Sequence, residues 1–282
     1  KYFIGKQLKD STKSFEAKNK YTGQQYVVKI VNIEDLGNLK HEYQNQLMSV
    51  KIKPNPFIVQ ILDIISIENF IYIIQEYVEN GSLNYIAGLL SEQLLNKYVR
   101  LLIQAIYSIH QQNYLVKQLS LHSVYLTKNG LLKIQMAGIQ QSELHVPDDE
   151  YSQKSDIFTL GLVIYQLITN ETPDLTDLVD LSQEVNLKPC SKMSDLIRAC
   201  LTKQPDLRPT AKQLLSQFAW LSEISAKVHS EEFFDLDLGL FYNYTLNTNQ
   251  NKCTLQSQLD RKASSCKLSS REHQSQRGCF SC

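Results

Sequence analysis

Apolar residues alternate with polar ones, or cluster as β-branched and aromatic runs, in three short stretches near the start of the chain. Tyr26-Val-Val-Lys-Ile-Val31, Ile58-Val-Gln-Ile-Leu62 and Phe70-Ile-Tyr-Ile-Ile74 each predict a strand. Between the first two, Leu36, Leu39, Tyr43 and Leu47 recur at helical spacing, which predicts a helix over 34–50. Asn80-Gly-Ser82 reads as a turn, and after Leu83 the period changes. Residues 91–112 predict a long amphipathic helix with Ser91 as its N-cap. Strands over 123–127 and 131–134 flank Lys128-Asn-Gly130, a hairpin turn. Further helices are predicted over 154–169, 192–201 and 210–218. From Ser222 the periodicity fades. Residues 231–242 mix acidic and aromatic side chains, and beyond Leu246 Asn, Gln, Ser and Lys dominate, the composition of a disordered segment.

Lys plus Arg equals Asp plus Glu, 29 against 29, so bulk charge supports neither a nucleic-acid nor a membrane-surface role. No run of about 18 apolar residues exists, which argues against a transmembrane helix. The six cysteines are scattered and lie mostly near the C-terminal end. They read as free thiols rather than a disulfide framework, and the expected compartment is cytoplasmic or otherwise intracellular. The chain starts at Lys1, on what reads as a first strand, as expected for a piece of a longer protein.

Four local strings then stand in a meaningful order. They are Gln75-Glu-Tyr-Val-Glu-Asn-Gly-Ser-Leu83, Tyr107-Ser-Ile-His110, Lys154-Ser-Asp-Ile-Phe-Thr-Leu-Gly161 and Cys200-Leu-Thr-Lys-Gln-Pro-Asp-Leu-Arg-Pro-Thr210. They resemble the hinge, the helix before the catalytic loop, the buried large-lobe helix and the last signature segment of a protein kinase. The resemblance covers roughly residues 1–220. It implies an α+β, two-lobed fold, with a small β-rich lobe carrying one main helix and a larger, mainly helical lobe. The expected division is a small lobe over 1–79, a large lobe over 80–221, a docking or extension segment over 222–245 and a disordered tail over 246–282.

Fold alone does not give function, so each site needs its own reading. The family's phosphate-covering loop uses glycine so that backbone N–H groups can approach. Here Leu8-Lys-Asp-Ser-Thr-Lys-Ser-Phe-Glu-Ala17 holds none, and a plain hairpin is the reading. Lys29 stands where the family's strand lysine contacts phosphates and pairs with a helix glutamate. Glu42 is the candidate partner, although counting back from Pro56-Phe-Ile-Val59 lands on Gln46. The alternative is a solvated strand lysine or a structural ion pair. The family's H-R-D-L-x-x-x-N pattern is matched by Val116-Lys-Gln-Leu-Ser-Leu-His-Ser123. Gln118 replaces the catalytic Asp, and a neutral amide cannot take a proton. Ser123 replaces the metal-binding Asn. His122 is conceivable as a substitute base, against an ordinary surface or core histidine. The metal-binding D-F-G triplet is matched by Met136-Ala-Gly138, and a thioether does not serve a hard cation.

Val27 and Tyr125 add volume where an adenine ring would slide in. The hinge backbone at Glu76 and Val78 remains as a residual base-binding edge. The expectation is no cofactor and no metal, the alternative being ATP held without magnesium. The segment from Gly138 to Asp156 is short for the family, with Val146-Pro-Asp148 in place of A-P-E, and the stretch between Pro173 and Ser191 is compressed. Structural positions persist. Asp156 is expected to bond the catalytic-loop backbone, and Arg208 to pair with Asp148 or Glu150. The resemblance thus implies a pseudokinase that binds a protein partner as a scaffold or allosteric regulator, an active kinase being one candidate partner. One alternative is a degenerate but active Ser/Thr kinase that uses Lys29 and binds ATP. Another is a lipid-anchored adaptor modified at Cys279 of the terminal Cys279-Phe-Ser-Cys282. Zinc held by Cys266, His273 and that pair is a further reading, set against free thiols.

Overall fold

The computed structural model describes residues 1–8, 13–117, 119–136, 146, 148, 150–171, 191–218 and 220–221. All belong to one unit, Lys1–Asp235. Five antiparallel strands form the small lobe: β1 (Tyr2–Gln7), β2 (Ser14–Asn19), β3 (Gln25–Asn32), β4 (Ile61–Ile67) and β5 (Phe70–Glu76), in the order β1-β2-β3-β5-β4. Alternation divides the side chains of β3 and β5 between two faces. Val27, Lys29 and Val31 lie opposite Gln75, Ile73 and Ile71 on one face. On the other, Ala17, Val28 and Ile74 form a buried cluster with Tyr2, Tyr26, Ile30, Leu62, Ile65 and Tyr72 packed against it.

Two element predictions need correction. The single helix over 34–50 is a 3-10 segment, Glu34–Leu39, followed by α1 (Lys40–Ile52). Gly37 breaks the helix at φ 48°, ψ −126°, a backbone state that glycine adopts without steric cost. Leu36, Tyr43 and Leu47 are buried all the same, so the apolar spacing marked the correct face. The strand over 58–62 instead starts at Ile61 and runs to Ile67. Ile58 makes a lone parallel bridge to Ile134, and this segment leaves the small sheet to pair with the large lobe.

The large lobe is built on α2 (Glu92–Gln111), α3 (Gln153–Thr169), α4 (Ser191–Cys200) and α5 (Ala211–Gln217). Ser91 caps α2 as its position predicts, accepting from the Leu94 N–H. Reciprocal capping boxes start α3 (Ser152 with Ser155) and α5 (Thr210 with Gln213). Strands β6 (Val124–Leu126) and β7 (Leu132–Ile134) form the predicted hairpin, turning through Gly130 at φ 68°. Gly161 lets α3 approach α4, because a Cβ there would stand 2.7 Å from the Cys200 Cβ.

The lobes are stitched at the 55–59 segment. Asn55 Nδ2 donates to Ser108 Oγ and Gln112 Oε1 of the α2 region, at 3.0 and 3.2 Å. The Val59 N–H donates to Ile134 O, and the Ile134 N–H to Phe57 O. Residues 222–245 and the tail lie outside the described residues, and so do Cys266, His273, Cys279 and Cys282.

Candidate functional site

The cleft between the lobes receives side chains from β3, β5, β6, β7 and the loop after α2. On β3, Lys29 is only 8% exposed, which overturns the reading of it as a solvated strand lysine. Burial first, and then the charge of Lys13, push its ammonium down to about 8. Among the described residues no carboxylate pairs with it. Glu42 falls on α1, and its side chain lies outside what the structure describes.

The loop that matches the catalytic loop hangs from Asp156 at the start of α3. Its Oδ2 accepts from the Val116 N–H at 2.9 Å and lies 2.8 Å from His110 Nε2. Its Oδ1 accepts from the Lys117 N–H at 3.0 Å and from the Tyr151 hydroxyl at 2.7 Å. The expectation for Asp156 holds, and these bonds explain how Lys117 is kept at φ 60°, a left-handed state that costs a side-chain-bearing residue energy. Gln118 itself lies outside the described residues. Leu119 is fully buried and anchors the loop below it. His122 is exposed.

Ser123 is engaged by its own loop. Its Oγ accepts from the Ser120 N–H at 2.9 Å and donates to Ser120 O at 3.0 Å, while the Ser120 Oγ accepts from the Ser123 N–H. The hydroxyl works as a turn staple. Met136, the residue matched in sequence to the family's metal-binding carboxylate, is a thioether only 5% exposed. A thioether is a poor ligand for magnesium, and the Ser123 oxygen is a neutral hydroxyl already bonded within its loop rather than a carboxylate. Among the described residues no cluster of three His, Cys, Asp or Glu could hold a metal ion.

The rear of the cleft is polar, which the sequence reading overlooked. Gln75 is 1% exposed, and its Oε1 accepts from Gln135 Nε2 at 2.8 Å. Gln135 Oε1 accepts in turn from the Tyr125 hydroxyl at 3.2 Å. Among the described residues Gln75 Nε2 has no hydrogen-bond partner. The signal was present: Gln75 directly follows the apolar run Phe70–Ile74 within β5, and Gln135 stands beside Met136. Val27 is cross-strand to Gln75. At the hinge, the Glu76 N–H is committed to Gln60 O, and its carboxylate pairs with Lys133 at 2.5 Å. Glu76 and Val78, the residues expected to present a base-binding edge, both line the outer side of the hinge. A shallow cavity of about 150 Å³ lies behind the hinge, between Tyr77, Glu79, Lys128 and Lys133.

Below the cleft, Arg208 and Asp148 form the structural pair expected of the A-P-E region. Two parallel bonds of 2.7 and 2.5 Å join them, and the guanidinium stacks 4.8 Å from the Phe158 ring. Burial pushes the Asp148 carboxyl up. The bonds from Arg208 and Ser155, with the Arg208 charge, outweigh this and hold it below its ordinary range. No helix among the described residues is long and apolar enough to cross a membrane.

Comparison with known proteins agrees with this geometry. The family model described as the protein kinase domain matches residues 10–139. A probable serine/threonine-protein kinase of Dictyostelium discoideum is 27% identical over 245 residues, covering 74% of this chain and 38% of the relative. Cytokinesis protein sepH of Aspergillus terreus is 27% identical over 232 residues, covering 71% and 17%. Serine/threonine-protein kinase Nek4 of Mus musculus is 24% identical over 236 residues, covering 71% and 30%. The chain thus spans well under half the length of each of these relatives. With two lobes, a hinge, an Asp156-held loop and the Arg208 pair in their places, the chain has a protein-kinase-like fold, and residues 10–139 match the protein kinase domain.

Proposed function

We propose that this domain is a catalytically inactive kinase-like module that binds a protein partner as a scaffold or allosteric regulator. The observation that carries the reading is Met136, a buried thioether where phosphoryl transfer needs a metal-binding carboxylate. Two further features support it. Gln118 provides no titratable base at the position of the proton acceptor. Ser123 spends its hydroxyl on the loop backbone. A thioether at position 136 and a loop-bonded hydroxyl at position 123 do not fit magnesium. The Asp156 and Arg208 networks hold the fold and take no part in chemistry, which suits a module that works by shape. The partner is a protein, with an active kinase as one candidate. A net charge of zero gives no reason to invoke nucleic acid.

The second reading is an active kinase, and Lys29 favours it: a buried ammonium on the cleft face is what phosphate contact would use. A thermal-shift titration with ATP, with and without magnesium, separates the two, because a ligand that binds only the folded state raises the melting temperature. The scaffold reading expects no shift at millimolar nucleotide and no phosphate transfer. A shift that needs magnesium, with turnover lost in Lys29→Ala, would install the active-kinase reading instead. A shift independent of magnesium would make ATP a structural ligand of an inactive domain.

A further inference from the structure

Two neighbouring residues of β5 are tied by side chains to the end of the β6–β7 hairpin, one to Lys133 within β7 and one to Gln135 just after it. Gln75 accepts from Gln135 at the buried rear of the cleft, and Glu76 pairs with Lys133 at its half-buried edge. The Tyr125 hydroxyl on β6 braces Gln135 from the large-lobe side. The string therefore runs from the small lobe, through Gln135, into the β6–β7 hairpin. Backbone bonds of the same boundary lie nearby. The Asn80 N–H donates to Leu126 O, the Leu126 N–H to Gly81 O and the Ile134 N–H to Phe57 O.

Packing does not account for Gln75. An apolar side chain would fill the same buried place without stranding a donor, whereas Gln75 Nε2 has no partner among the described residues. Among the described residues the side chain's compensating contact is the bond to Gln135, which is strengthened where Gln75 is shielded from water. Buried polar contacts of this kind add little net stability but penalise every arrangement that breaks them. A small shift of β5 against the β6–β7 hairpin would take the partner from the buried Gln75 Oε1 as well as leaving its Nε2 unpaired, and would free the Nε2 of the half-buried Gln135.

We propose that Gln75, Gln135 and Tyr125 form a latch that holds the small lobe against the β6–β7 hairpin without nucleotide, so that the domain presents one lobe arrangement to its partner. The proposal rests on the scaffold reading above and deepens it. An enzyme opens and closes its lobes around substrate, whereas a scaffold gains from a fixed angle between them. The latch is built from side chains at positions where the cleft would otherwise receive a ligand.

Hydrogen–deuterium exchange on the full chain tests this, comparing the unmodified protein with Gln135→Leu and the milder Tyr125→Phe. The expected result is exchange roughly 5–30-fold faster at the Asn80, Leu126 and Ile134 amides in Gln135→Leu, the range that one lost buried contact can produce. Tyr125→Phe should give a smaller rise at the same amides, and the cores of α2 and α3 should not change. Adding Gln75→Leu to Gln135→Leu should give little further increase, since the two residues share one bond. Unchanged rates at the three amides would overturn the latch, and so would an equal acceleration within α2 and α3. A phosphotransfer assay on the unmodified protein keeps the two ideas separable: turnover would remove the scaffold reading, while the exchange data still judge the latch.

Discussion

Arg208 and Asp148, sixty positions apart, meet through two parallel bonds with side chains 0% and 2% exposed. Arg208 also donates from Nε to Thr202 O and from its terminal nitrogens to Lys154 O and Lys203 O. Every donor direction of the guanidinium fork is thereby used. Lys154 returns a bond from its ammonium to Arg208 O. This pair joins the short segment before α3 to the segment before α5, and the α3 start that carries Asp156 hangs from it.

Removing one partner leaves the other charged and buried. Arg208→Leu is expected to destabilise the domain by about 3–5 kcal/mol, the range for a broken buried pair. Urea unfolding at neutral pH measures this. A loss below about 1 kcal/mol would mean that the pair is surface-like.

The same pair sets an acid limb. The Asp148 carboxyl titrates below its ordinary value in the folded state, so the unfolded chain takes up protons first as pH falls. Its contribution is fully present above the unfolded value of about 4 and is lost as pH drops through the folded value. Comparing Asp148→Asn with the unmodified protein from pH 6 to pH 2 should show their stability difference shrinking only below about pH 4. A difference that shrinks around pH 6 would point to another group, such as a histidine.

Lys29 predicts the opposite trend. Its folded value near 8 lies below the unfolded 10.5, so between these limits the unfolded state binds more protons and stability rises with pH. Cys200 and the buried tyrosines Tyr43, Tyr98 and Tyr151 are pushed up by burial and oppose this at high pH. The comparison must therefore be with Lys29→Met, in which those groups are common to both. Lys29→Met should be more stable at pH 7, by on the order of 1–3 kcal/mol, with the gap closing towards pH 10. Equal stability at pH 7 would show that the ammonium is well paired.

Gly161 is the packing test. A methyl group there would meet the Cys200 Cβ at 2.7 Å and Leu201 side-chain atoms at 3.1 and 3.2 Å. Gly161→Ala should cost about 1–3 kcal/mol through overpacking, despite alanine's better helix propensity. Circular dichroism melts would register it, and an unchanged melt would mean that α3 and α4 can separate freely.

Cys200 should be chemically quiet. It is fully buried among the described residues, and burial pushes its thiol up to about 12, against a smaller downward pull from Arg208. Alkylation at pH 8 in the folded protein should leave it unmodified, while denaturant should expose it. Peptide mapping after labelling reads the result.

The chain's own pattern determined the order of a strand-rich part before a helical part, the α2 cap at Ser91 and the β6–β7 hairpin. These follow from local chemistry: period, capping and turn residues act within a few positions of themselves. Tertiary structure decided the rest. Glu34–Leu39 departs from the α-helix because Gly37 breaks it, and Ile58 leaves the small sheet because β7 offers it hydrogen bonds from 76 positions away. The choice of Asp148 as the partner of Arg208 was open between two acidic residues until the fold brought one of them within 2.7 Å. The Gln75–Gln135–Tyr125 string was invisible for the same reason. A glutamine in sequence is only a polar residue, and what makes it a contact is burial together with a second amide delivered from another lobe.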